Sequence, residues 1–449
     1  MKKTIDKCTD CSICIENCPA GSICRVNDTI VFNETCCIHC NMCVETCANI
    51  SCVFTETDQE KSGEVLTVGI IGCGVSGIHA ANELRIRGHK VTILTRDRLP
   101  IDRPNMCDYF MRKGTNLNDV IESGVVVLRN TMVTGITEKD GDVSVTTNNG
   151  FFHFDRCIIA TGGKVSDHLN GSQQKNVFSF WDYENVKKMV DYVKNHKAES
   201  AIIIGGGSVG IEAAFFLSDF GCTVTIIEKA ENLLAGRMDP VISAKIIEEM
   251  IKRSITCIFN ETVTGICTEG VRADKKVYQA DVIVITGSRP DVECFRSSGF
   301  QINKGIVVIE NMDTTIPNIY AAGDITEYNG ITSATVKKAR TQAVVAANNI
   351  CGNKMLFKEE PACDVLKNIP LSIVVSGEKN GERIIRKKGD TIRIVYRDEN
   401  NRISGYQSVN DREGMSGILY NAIKRHAEVS DAVVYHEHSI FTIKKERFQ

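Results

Sequence analysis

Long apolar runs are absent from this chain of 449 residues. No stretch approaches the roughly 18 uninterrupted apolar residues that a membrane-spanning helix needs, so we expect no membrane span. Lys2 and Lys3 are followed by a polar segment that contains cysteine, and not by the apolar core of a secretory signal peptide. A basic excess is also absent, since 53 Lys and Arg face 56 Asp and Glu. Without a basic run the sequence does not indicate nucleic-acid binding. These absences favour a cytoplasmic protein.

Cysteine, in contrast, is abundant and unevenly placed. Of the 20 cysteines, 11 lie within the first 52 residues. In a cytoplasmic protein this density favours metal or redox sites over disulfides. Residues 1–60 also hold 4 Lys and Arg against 9 Asp and Glu, a balance of −5, whereas the whole chain has a formal net charge of −3. We therefore interpret residues 1–60 as a separate, acidic cysteine module.

Eight cysteines of the module form two runs of identical spacing. Each run has the pattern C-x2-C-x2-C-x3-C, and the two runs begin 29 residues apart. Three closely spaced thiolates bind one iron–sulfur cubane, while the fourth reaches the neighbouring one. The predicted ligands are Cys8, Cys11, Cys14 and Cys47 for one [4Fe-4S] cluster, and Cys37, Cys40, Cys43 and Cys18 for the other. The alternative is a pair of four-cysteine zinc sites, although zinc ribbons use two separated C-x2-C pairs.

A glycine-rich turn follows the first apolar segment after the module. Residues 66–71 read as a strand, and Gly72, Gly74 and Gly77 then open a helical stretch that leads to a second strand at 91–94. In a dinucleotide-binding βαβ unit, three such glycines make the tight turn, admit a pyrophosphate and let the helix pack on the strand. The helix N-terminus adds unpaired amides and partial positive charge. The pattern predicts a dinucleotide site.

The same pattern recurs 133 residues later, at Gly205, Gly207 and Gly210. The second strand of this unit leads to Glu228, whereas the equivalent position of the first unit, also 23 residues after the first glycine, is Thr95. A carboxylate there accepts hydrogen bonds from a ribose 2′-OH and repels a 2′-phosphate. We therefore expect the second site to prefer NADH to NADPH, and the two sites to differ.

Two further features accompany the cysteine runs of the module. Cys18 is followed by Pro19, and a short apolar strand at 30–32 separates the two runs. With these features the module resembles the bacterial two-[4Fe-4S] ferredoxins, which implies a ferredoxin-like α+β iron–sulfur domain. Ala48 departs from that family, which usually repeats the proline there. The departure concerns the surroundings and potential of one cluster, and not its ligands.

Three motifs beyond the glycine turns complete the pattern: strand-to-glycine returns at 155–163 and 281–287, and a segment at 314–324 that ends in Gly-Asp. With them, residues 65–440 resemble the flavoproteins with two dinucleotide sites, which include pyridine nucleotide-disulfide reductases, rubredoxin reductases and NADH oxidases. The resemblance implies FAD in the first unit and NAD(H) in the second. The implied FAD contacts are Gly72, Gly74, Gly77, Arg103, Pro104, Thr161, Gly162, Gly323 and Asp324, and the implied NAD contacts are Gly205, Gly207, Gly210, Glu228 and Gly287. Arg96 or Asp97 would compensate for the carboxylate missing at Thr95.

The fold class that follows is α/β, with two Rossmann-like dinucleotide-binding domains, an N-terminal ferredoxin-like iron–sulfur domain and a C-terminal α+β interface domain. The expected boundaries are 1–60 for the ferredoxin-like domain, 61–168 and 291–352 for the two parts of the FAD-binding domain, 169–290 for the NAD-binding domain, and 353–449 for the interface domain. In the last domain we expect strands at 371–375 and 391–396 and a helix at about 414–427. Because this domain often supports dimerisation in relatives, the resemblance is compatible with a homodimer.

Glu212 is the candidate catalytic residue, because by resemblance it matches a carboxylate that lies near the nicotinamide and the flavin in relatives. As an acid near a helix N-terminus, it would equally be stabilised by the helix dipole. Disulfide chemistry is not expected, since no C-x4-C follows the first βαβ unit and no C-x2-C lies in the NAD domain. Cys107 is a lone thiol near the segment where single-cysteine NADH oxidases and coenzyme A-disulfide reductases carry their redox residue, but its neighbours lack their pattern.

Together these features predict an FAD-dependent NADH oxidoreductase that exchanges electrons between NAD(H), FAD, two [4Fe-4S] clusters and an external low-potential carrier. A hydride carries two electrons and a cubane accepts one, so a flavin is needed between them. The expected partner is ferredoxin, rubredoxin or a larger redox enzyme, in either direction of electron flow. The alternatives are a substrate-reducing NADH oxidase or coenzyme A-disulfide reductase that uses Cys107, and a non-enzymatic redox sensor.

Overall fold

The computed structural model describes residues 2–5, 23–26, 29–32, 52–55, 64–98, 106–111, 121–165, 169–274, 276–332, 334–366, 368–411 and 415–429. The eight predicted cluster cysteines and the predicted FAD contacts Arg103 and Pro104 lie outside these residues.

The described strands are, in chain order, β1 (Lys2–Ile5), β2 (Ile23–Val26), β3 (Thr29–Phe32), β4 (Cys52–Thr55), β5 (Thr67–Ile71), β6 (Lys90–Leu94), β7 (Val126–Leu128), β8 (Val133–Lys139), β9 (Asp142–Thr147), β10 (Gly150–Phe154), β11 (Arg156–Ile159), β12 (Gly163–Val165), β13 (Val177–Ser179), β14 (Ser200–Ile204), β15 (Thr223–Ile227), β16 (Ile255–Ile258), β17 (Val263–Cys267), β18 (Gly270–Ala273), β19 (Val277–Tyr278), β20 (Val282–Ile285), β21 (Ser288–Pro290), β22 (Ile306–Val308), β23 (Ile319–Ala321), β24 (Thr326–Tyr328), β25 (Cys363–Leu366), β26 (Ile373–Gly377), β27 (Glu382–Lys388), β28 (Thr391–Arg397) and β29 (Ile403–Val409). The described helices are α1 (Val75–Ile86), α2 (Met106–Met111), α3 (Tyr183–His196), α4 (Ser208–Asp219), α5 (Pro240–Ile251), α6 (Val336–Ile350) and α7 (Met415–Lys424), with a 3-10 turn at Glu293–Phe295.

The first parallel sheet has five strands in the order β23-β11-β5-β6-β7. Its central strands are nearly continuous apolar runs, which is the composition of parallel strands buried on both faces. Ile70 in β5 and Ile158 in β11 are accordingly 0% exposed. Helix α1 connects β5 to β6 and packs against α6. The carboxyl ends of β5, β11 and β23 therefore meet at one edge of the sheet.

The second parallel sheet repeats this arrangement, with the order β13-β20-β14-β15-β16. Helix α4 connects β14 to β15 as α1 connects β5 to β6. Strand β20 lies beside β14 in the position that β11 has beside β5. Each sheet is accompanied by a three-stranded antiparallel meander, β8 to β10 for the first and β17 to β19 for the second. The prediction of two Rossmann-like folds is confirmed.

Two short strands carry the chain between the sheets. β12 leads out of the first sheet and β21 leads back to it, and the two pair antiparallel with Gly163 opposite Pro290 and Val165 opposite Ser288. Strand β23 then joins the edge of the first sheet beside β11. The first sheet is therefore built from residues on both sides of the second in the sequence. We call the β12–β21 pair the strap.

The C-terminal sheet has five antiparallel strands in the order β25-β26-β29-β28-β27. One face packs on α7, and the other shares an apolar core with the second parallel sheet. Buried Asp239, at the start of α5, accepts hydrogen bonds from Arg383 at 2.7 and 2.9 Å and from Tyr396. The strands and helix expected here correspond to β26, β28 and α7. The C-terminal sheet is thus fixed to the second parallel sheet by apolar and charged contacts.

Four strands are described in the cysteine module. β1 pairs antiparallel with β4, and β2 pairs antiparallel with β3, which includes the strand expected at 30–32. In the sequence, β1 precedes the first cysteine run, β2 and β3 separate the runs, and β4 follows the second.

Candidate functional site

The first glycine turn connects β5 to α1 at the carboxyl edge of the first sheet. Gly72 has a φ of +112°, and a Cβ atom at Gly77 would lie 2.0 Å from the Gly72 carbonyl oxygen, so a larger residue at Gly77 would displace the helix. At Gly74 a Cβ atom would meet nothing within 4 Å, and no side chain caps the first amides of α1 there. The turn therefore presents uncapped backbone donors beside open space, as an anionic pyrophosphate requires.

The second turn, between β14 and α4, has the same geometry. Gly205 has a φ of +109°, and a Cβ atom at Gly210 would lie 2.0 Å from the Gly205 oxygen. Glu228 lies beside this turn, where its Oε2 accepts the Gly206 amide at 2.6 Å and its Oε1 accepts the Ala230 amide at 2.8 Å. Two backbone donors thus hold the carboxylate at the end of β15. Its remaining acceptor capacity suits ribose hydroxyls.

A cavity of about 360 Å³ opens at the first turn, and we call it the first cavity. Predicted FAD contacts that line it are Gly72, Gly74, Thr161, Gly162 and Asp324. The Thr161 Oγ1 atom is buried and has no hydrogen-bond partner among the described residues. Because buried polar atoms are nearly always paired, this hydroxyl fits a ligand that brings a polar group. The residues present therefore fit a bound dinucleotide.

Two predicted FAD contacts do not line the first cavity. Gly77 packs against the turn itself, as its closeness to Gly72 shows. Gly323 precedes Asp324 with a φ of +88°, and its amide donates to Gln342 Oε1 at 2.8 Å. Both glycines thus shape the chain next to the cavity.

The end of β6 distinguishes the first cavity from the second. Thr95 is 3% exposed, and its Oγ1 accepts the Asp97 amide at 3.3 Å. Arg96 and Asp97 also line the cavity, and Arg96 donates to Asp291 Oδ2 at 3.2 Å. Burial raises the pKa of the Asp97 carboxyl; Arg96 opposes the shift, while Asp182 and Glu184 add to it. Asp97 thus supplies a carboxylate close to the place where Thr95 cannot.

A second cavity, of about 530 Å³, opens at the second turn. All five predicted NAD contacts line it: Gly205, Gly207, Gly210, Glu228 and Gly287. Ala334, which precedes α6 and belongs to the other dinucleotide unit, lines it as well. The second cavity therefore extends from the NAD-type turn towards the start of α6.

Trp181 lines both cavities. This residue, the single tryptophan of the chain, belongs to none of the predicted motifs. Val336 and Ala339, at the start of α6, line the first cavity, and Ala334 lines the second. Trp181 is therefore a wall residue of both cavities, and residues at the start of α6 line each of them.

The predicted catalytic residue Glu212 is half-buried in the second turn of α4. It is not among the described residues that line either cavity. Its role near the nicotinamide stays a prediction.

Cys107 is 4% exposed in α2 and packs in the apolar core shared by the second parallel sheet and the C-terminal sheet. It lies in neither cavity among the described lining residues. No disulfide joins the nine cysteines whose side chains are described. Within the same part of the chain, no three His, Cys, Asp or Glu side chains are placed to hold a metal ion. The described site therefore consists of the two nucleotide cavities.

Two dinucleotide turns, each with its own cavity and with Trp181 in the lining of both, fit an oxidoreductase of the class that uses two nucleotide cofactors. The chain belongs to the pyridine nucleotide-disulphide oxidoreductase family, whose model matches residues 66–348, more than half of its length. Members of this family are NAD(P)H-dependent oxidoreductases that bind FAD.

Known proteins are similar in sequence to this part of the chain. An NADH oxidase from Methanocaldococcus jannaschii is 26% identical over 316 residues, which cover 64% of this chain and 70% of that protein. The NADH-rubredoxin oxidoreductase of Clostridium acetobutylicum is 23% identical over 363 residues, which cover 78% of this chain and 92% of that protein. A solved structure of NADH:rubredoxin oxidoreductase from that organism aligns with a TM-score of 0.63 at 22% identity, over 81% of this chain and 96% of the other, and so shares the fold.

Other relatives are longer. The NAD(P)H nitrite reductase of Bacillus subtilis is 27% identical over 301 residues, and this chain spans 37% of its length.

Among the described residues, no helix is both long and apolar enough to cross a membrane.

Proposed function

We propose that this protein is an NADH-linked oxidoreductase that exchanges electrons between NAD(H), FAD, two [4Fe-4S] clusters and an external low-potential carrier. The observation that carries the proposal is a pair of nucleotide cavities that share Trp181, in a chain that also contains two four-cysteine runs of ferredoxin spacing. Ferredoxin, rubredoxin or a larger redox enzyme would serve as the external partner. The relative named NADH-rubredoxin oxidoreductase supports a small carrier of this kind.

The first cavity would hold FAD. The α1 amides beside Gly74 would bind the pyrophosphate, and Thr161 Oγ1 would gain a polar partner. Asp324 lines the same cavity at the carboxyl end of β23. A flavin bound there supplies a carrier that accepts a two-electron hydride and releases single electrons. The protein binds and orients it without an acid–base residue.

The second cavity would hold NADH. Glu228, held by two backbone amides, would accept the ribose hydroxyls and repel the 2′-phosphate of NADPH. The α4 amides beside Gly207 would bind the pyrophosphate, because no side chain caps them. NADH specificity is therefore part of the proposal.

The strand pairing in the module supports a cluster shared by the start of the first run and the end of the second. Ile5 in β1 lies opposite Cys52 in β4. Cys8 follows Ile5 by three positions and Cys47 precedes Cys52 by five. Along the chain, the β1–β4 pair is therefore within five residues of one cysteine from each run, which supports the ligand set that includes Cys47.

The other strand pair supports the second shared cluster in the same way. Ile23 in β2 lies opposite Phe32 in β3. Cys18 precedes Ile23 by five positions and Cys37 follows Phe32 by five. Two independent zinc knuckles would not require either pairing.

We also propose domain boundaries after residues 60, 168, 290 and 352, and a homodimer formed through the C-terminal domain. The acidic balance of −5 in the module suits a partner with a basic docking face.

An anaerobic titration of the purified protein tests the proposal. NADH is expected to bleach the flavin, with cluster reduction followed by low-temperature EPR, and NADPH is expected to react more weakly. If the flavin bleaches while the clusters stay oxidised, a stronger reductant followed by NAD⁺ tests the reverse direction. Protein that contains zinc and no iron would contradict the cluster assignment.

Cysteine variants separate the ligands from the remaining thiols of the module. Cys14→Ser is expected to remove one cluster signal and its iron. Cys24 is not one of the eight predicted cluster ligands, so Cys24→Ser is expected to keep both clusters. Equal loss in the two variants would contradict the ligand sets.

A second candidate function is the reduction of oxygen or a disulfide through Cys107, which the relative named NADH oxidase favours. The burial of Cys107 argues against it, because a redox thiol must be accessible. NADH turnover that is unchanged in Cys107→Ser would exclude this route.

A further inference from the structure

Trp181 occupies an unusual position between the two nucleotide units. It lies between β13 and α3, in the stretch that enters the second unit, and it is half-buried. Trp181 is a lining residue of both the first and the second cavity. A residue of this kind contacts the region where ligands of the two cavities would approach each other.

The strap fixes the orientation of this ring. The indole Nε1 donates to the Gly163 carbonyl oxygen at 2.7 Å, and Gly163 is the first residue of β12. A Cβ atom at Gly163 would lie 3.2 Å from Trp181 Cζ2 and 2.9 Å from the Arg289 oxygen, so glycine lets the ring lie against the strap. Because Nε1 is the one polar atom of the ring and the protein already binds it, the ring offers apolar surface to the cavities.

The start of α6 also contributes residues to both cavities. Ala334 lines the second cavity, while Val336, two residues later, lines the first. Thr335 between them begins the helix, and its side chain accepts the Lys338 amide at 3.3 Å. The walls of the two cavities therefore include residues from both nucleotide units.

We propose that Trp181 is a positioning residue for hydride transfer, and that its ring forms the shared wall along which the nicotinamide end of NADH reaches the flavin end of FAD. This inference rests on the proposed function. The hydride carries two electrons from NADH, which leaves as NAD⁺, to the flavin. Such a transfer needs the reacting atoms about 3–3.5 Å apart. A flat, hydrogen-bonded indole restricts the approach of planar rings and excludes water.

The first test uses the fluorescence of this single tryptophan. FAD uptake by flavin-free protein is expected to quench the emission, and NAD⁺ is expected to change it again in a saturable way. If NAD⁺ binds by calorimetry and leaves the emission unchanged, the ring does not contact the nicotinamide nucleotide and the inference is wrong.

The second test separates positioning from folding. In anaerobic stopped-flow measurements at saturating NADH, Trp181→Ala is expected to slow flavin reduction on the order of 10²-fold while the FAD content stays the same. Trp181→Phe keeps a flat ring and is expected to restore most of the rate. Tyr192→Ala removes an aromatic ring of α3 that lines neither cavity, and it controls for general destabilisation.

The outcomes distinguish this inference from the proposed function. If wild-type protein takes up no FAD, or NADH does not bleach it, the proposed function fails. If wild type reacts and Trp181→Ala reacts equally fast, the role of Trp181 is wrong and the proposed function stands. Should Trp181→Ala fail to fold, the rate of Trp181→Phe and the NAD⁺ titration of the wild-type emission decide: a slow Phe variant without a fluorescence response would overturn the inference.

Discussion

The two glycine turns have nearly the same backbone, yet the strands that follow them end in different side chains. The φ angles of Gly72 and Gly205 are +112° and +109°, and both helices begin without a side-chain cap. Thr95 and Glu228 each accept the amide two residues further along the chain. Glu228 also reaches back to the turn, where it accepts the Gly206 amide.

This difference distinguishes the side-chain interactions that the fold requires from those that a bound nucleotide requires. A hydroxyl and a carboxylate both complete the turn after the strand, so that hydrogen bond belongs to the fold. The second carboxylate oxygen of Glu228 accepts from the glycine turn, and the side chain lines the second cavity. The first unit keeps the geometry of the turn, and the next carboxyl after Thr95 in the sequence is Asp97, which lines the first cavity.

The largest effects are expected where a Cβ atom would strike the backbone. Gly77→Ala and Gly210→Ala each force an atom into the oxygen of the preceding turn, at a cost of about 1–3 kcal/mol. Gly77→Ala is expected to lose FAD, whereas Gly210→Ala is expected to keep FAD and bind NADH tenfold to a hundredfold less tightly, at about 1.4 kcal/mol per tenfold. Flavin absorbance per protein and NADH titration measure this. If each variant loses both nucleotides equally, the two turns are not separate sites.

A smaller effect is expected from the charge at the second site. Glu228→Gln keeps the shape of the side chain and removes its charge, which weakens hydrogen bonds worth about 1.5 kcal/mol or more. NADH affinity should fall about tenfold, at 1.4 kcal/mol per tenfold, while NADPH affinity rises or stays the same. The dissociation constants of NADH and NADPH test this expectation. Glu231→Gln, which changes a nearby surface acid, is the control. An unchanged NADH to NADPH ratio would refute the assignment of Glu228.

Gly74→Ala and Gly207→Ala distinguish ligand effects from fold effects. A Cβ atom at either position meets open space, and both residues have extended backbone that alanine adopts. The nucleotide-free protein should therefore change in stability by no more than about 0.5 kcal/mol. Nucleotide affinity should fall further than stability, because the added methyl group blocks the approach of the pyrophosphate. Thermal melts with and without FAD or NAD⁺ compare the two, and unchanged affinity would show that the pyrophosphate passes elsewhere.

The smallest effect concerns Asp97 and depends on pH. Since burial raises its pKa, the folded flavin-free protein binds this proton more readily than the unfolded chain. The carboxyl contributes stability in acid, and that contribution is lost as the pH rises through the raised pKa. Asp97→Asn is therefore expected to raise the melting temperature of flavin-free protein at neutral pH, by an amount that shrinks as the pH falls, while it weakens FAD binding. Asp140→Asn, in an exposed turn, serves as the control. If the difference in melting temperature between Asp97→Asn and wild type does not depend on pH, this account is wrong.

Features carried by short sequence segments were predictable. Each glycine turn, its two strands and the residue at 95 or 228 lie within one βαβ unit, so their spacing alone fixes their geometry. The C-terminal strands β26 and β28 were predictable for a related reason, since alternation and turn residues are local signals.

Features that depend on distant contacts were not predictable. Trp181 reaches both cavities because the strap places Gly163 beside it, and no local pattern reports that pairing. Glu212 follows the glycine turn by two residues, but α4 is apolar on nearly all sides, so the sequence does not show which face meets the cavity. The burial of Cys107 likewise depends on the C-terminal sheet, which the chain adds much later.

The pairing of β1 with β4 places the two chain ends of the cysteine module side by side. In the sequence, eight residues separate the end of β4 from the start of the described flavoprotein part, and two parts joined by so few residues have an effective concentration of about millimolar. Under the proposed function, electron exchange between the two parts would be intramolecular and therefore insensitive to dilution. Exchange with an external carrier would be second order, so at low protein concentration the carrier, and not the module, would set the rate.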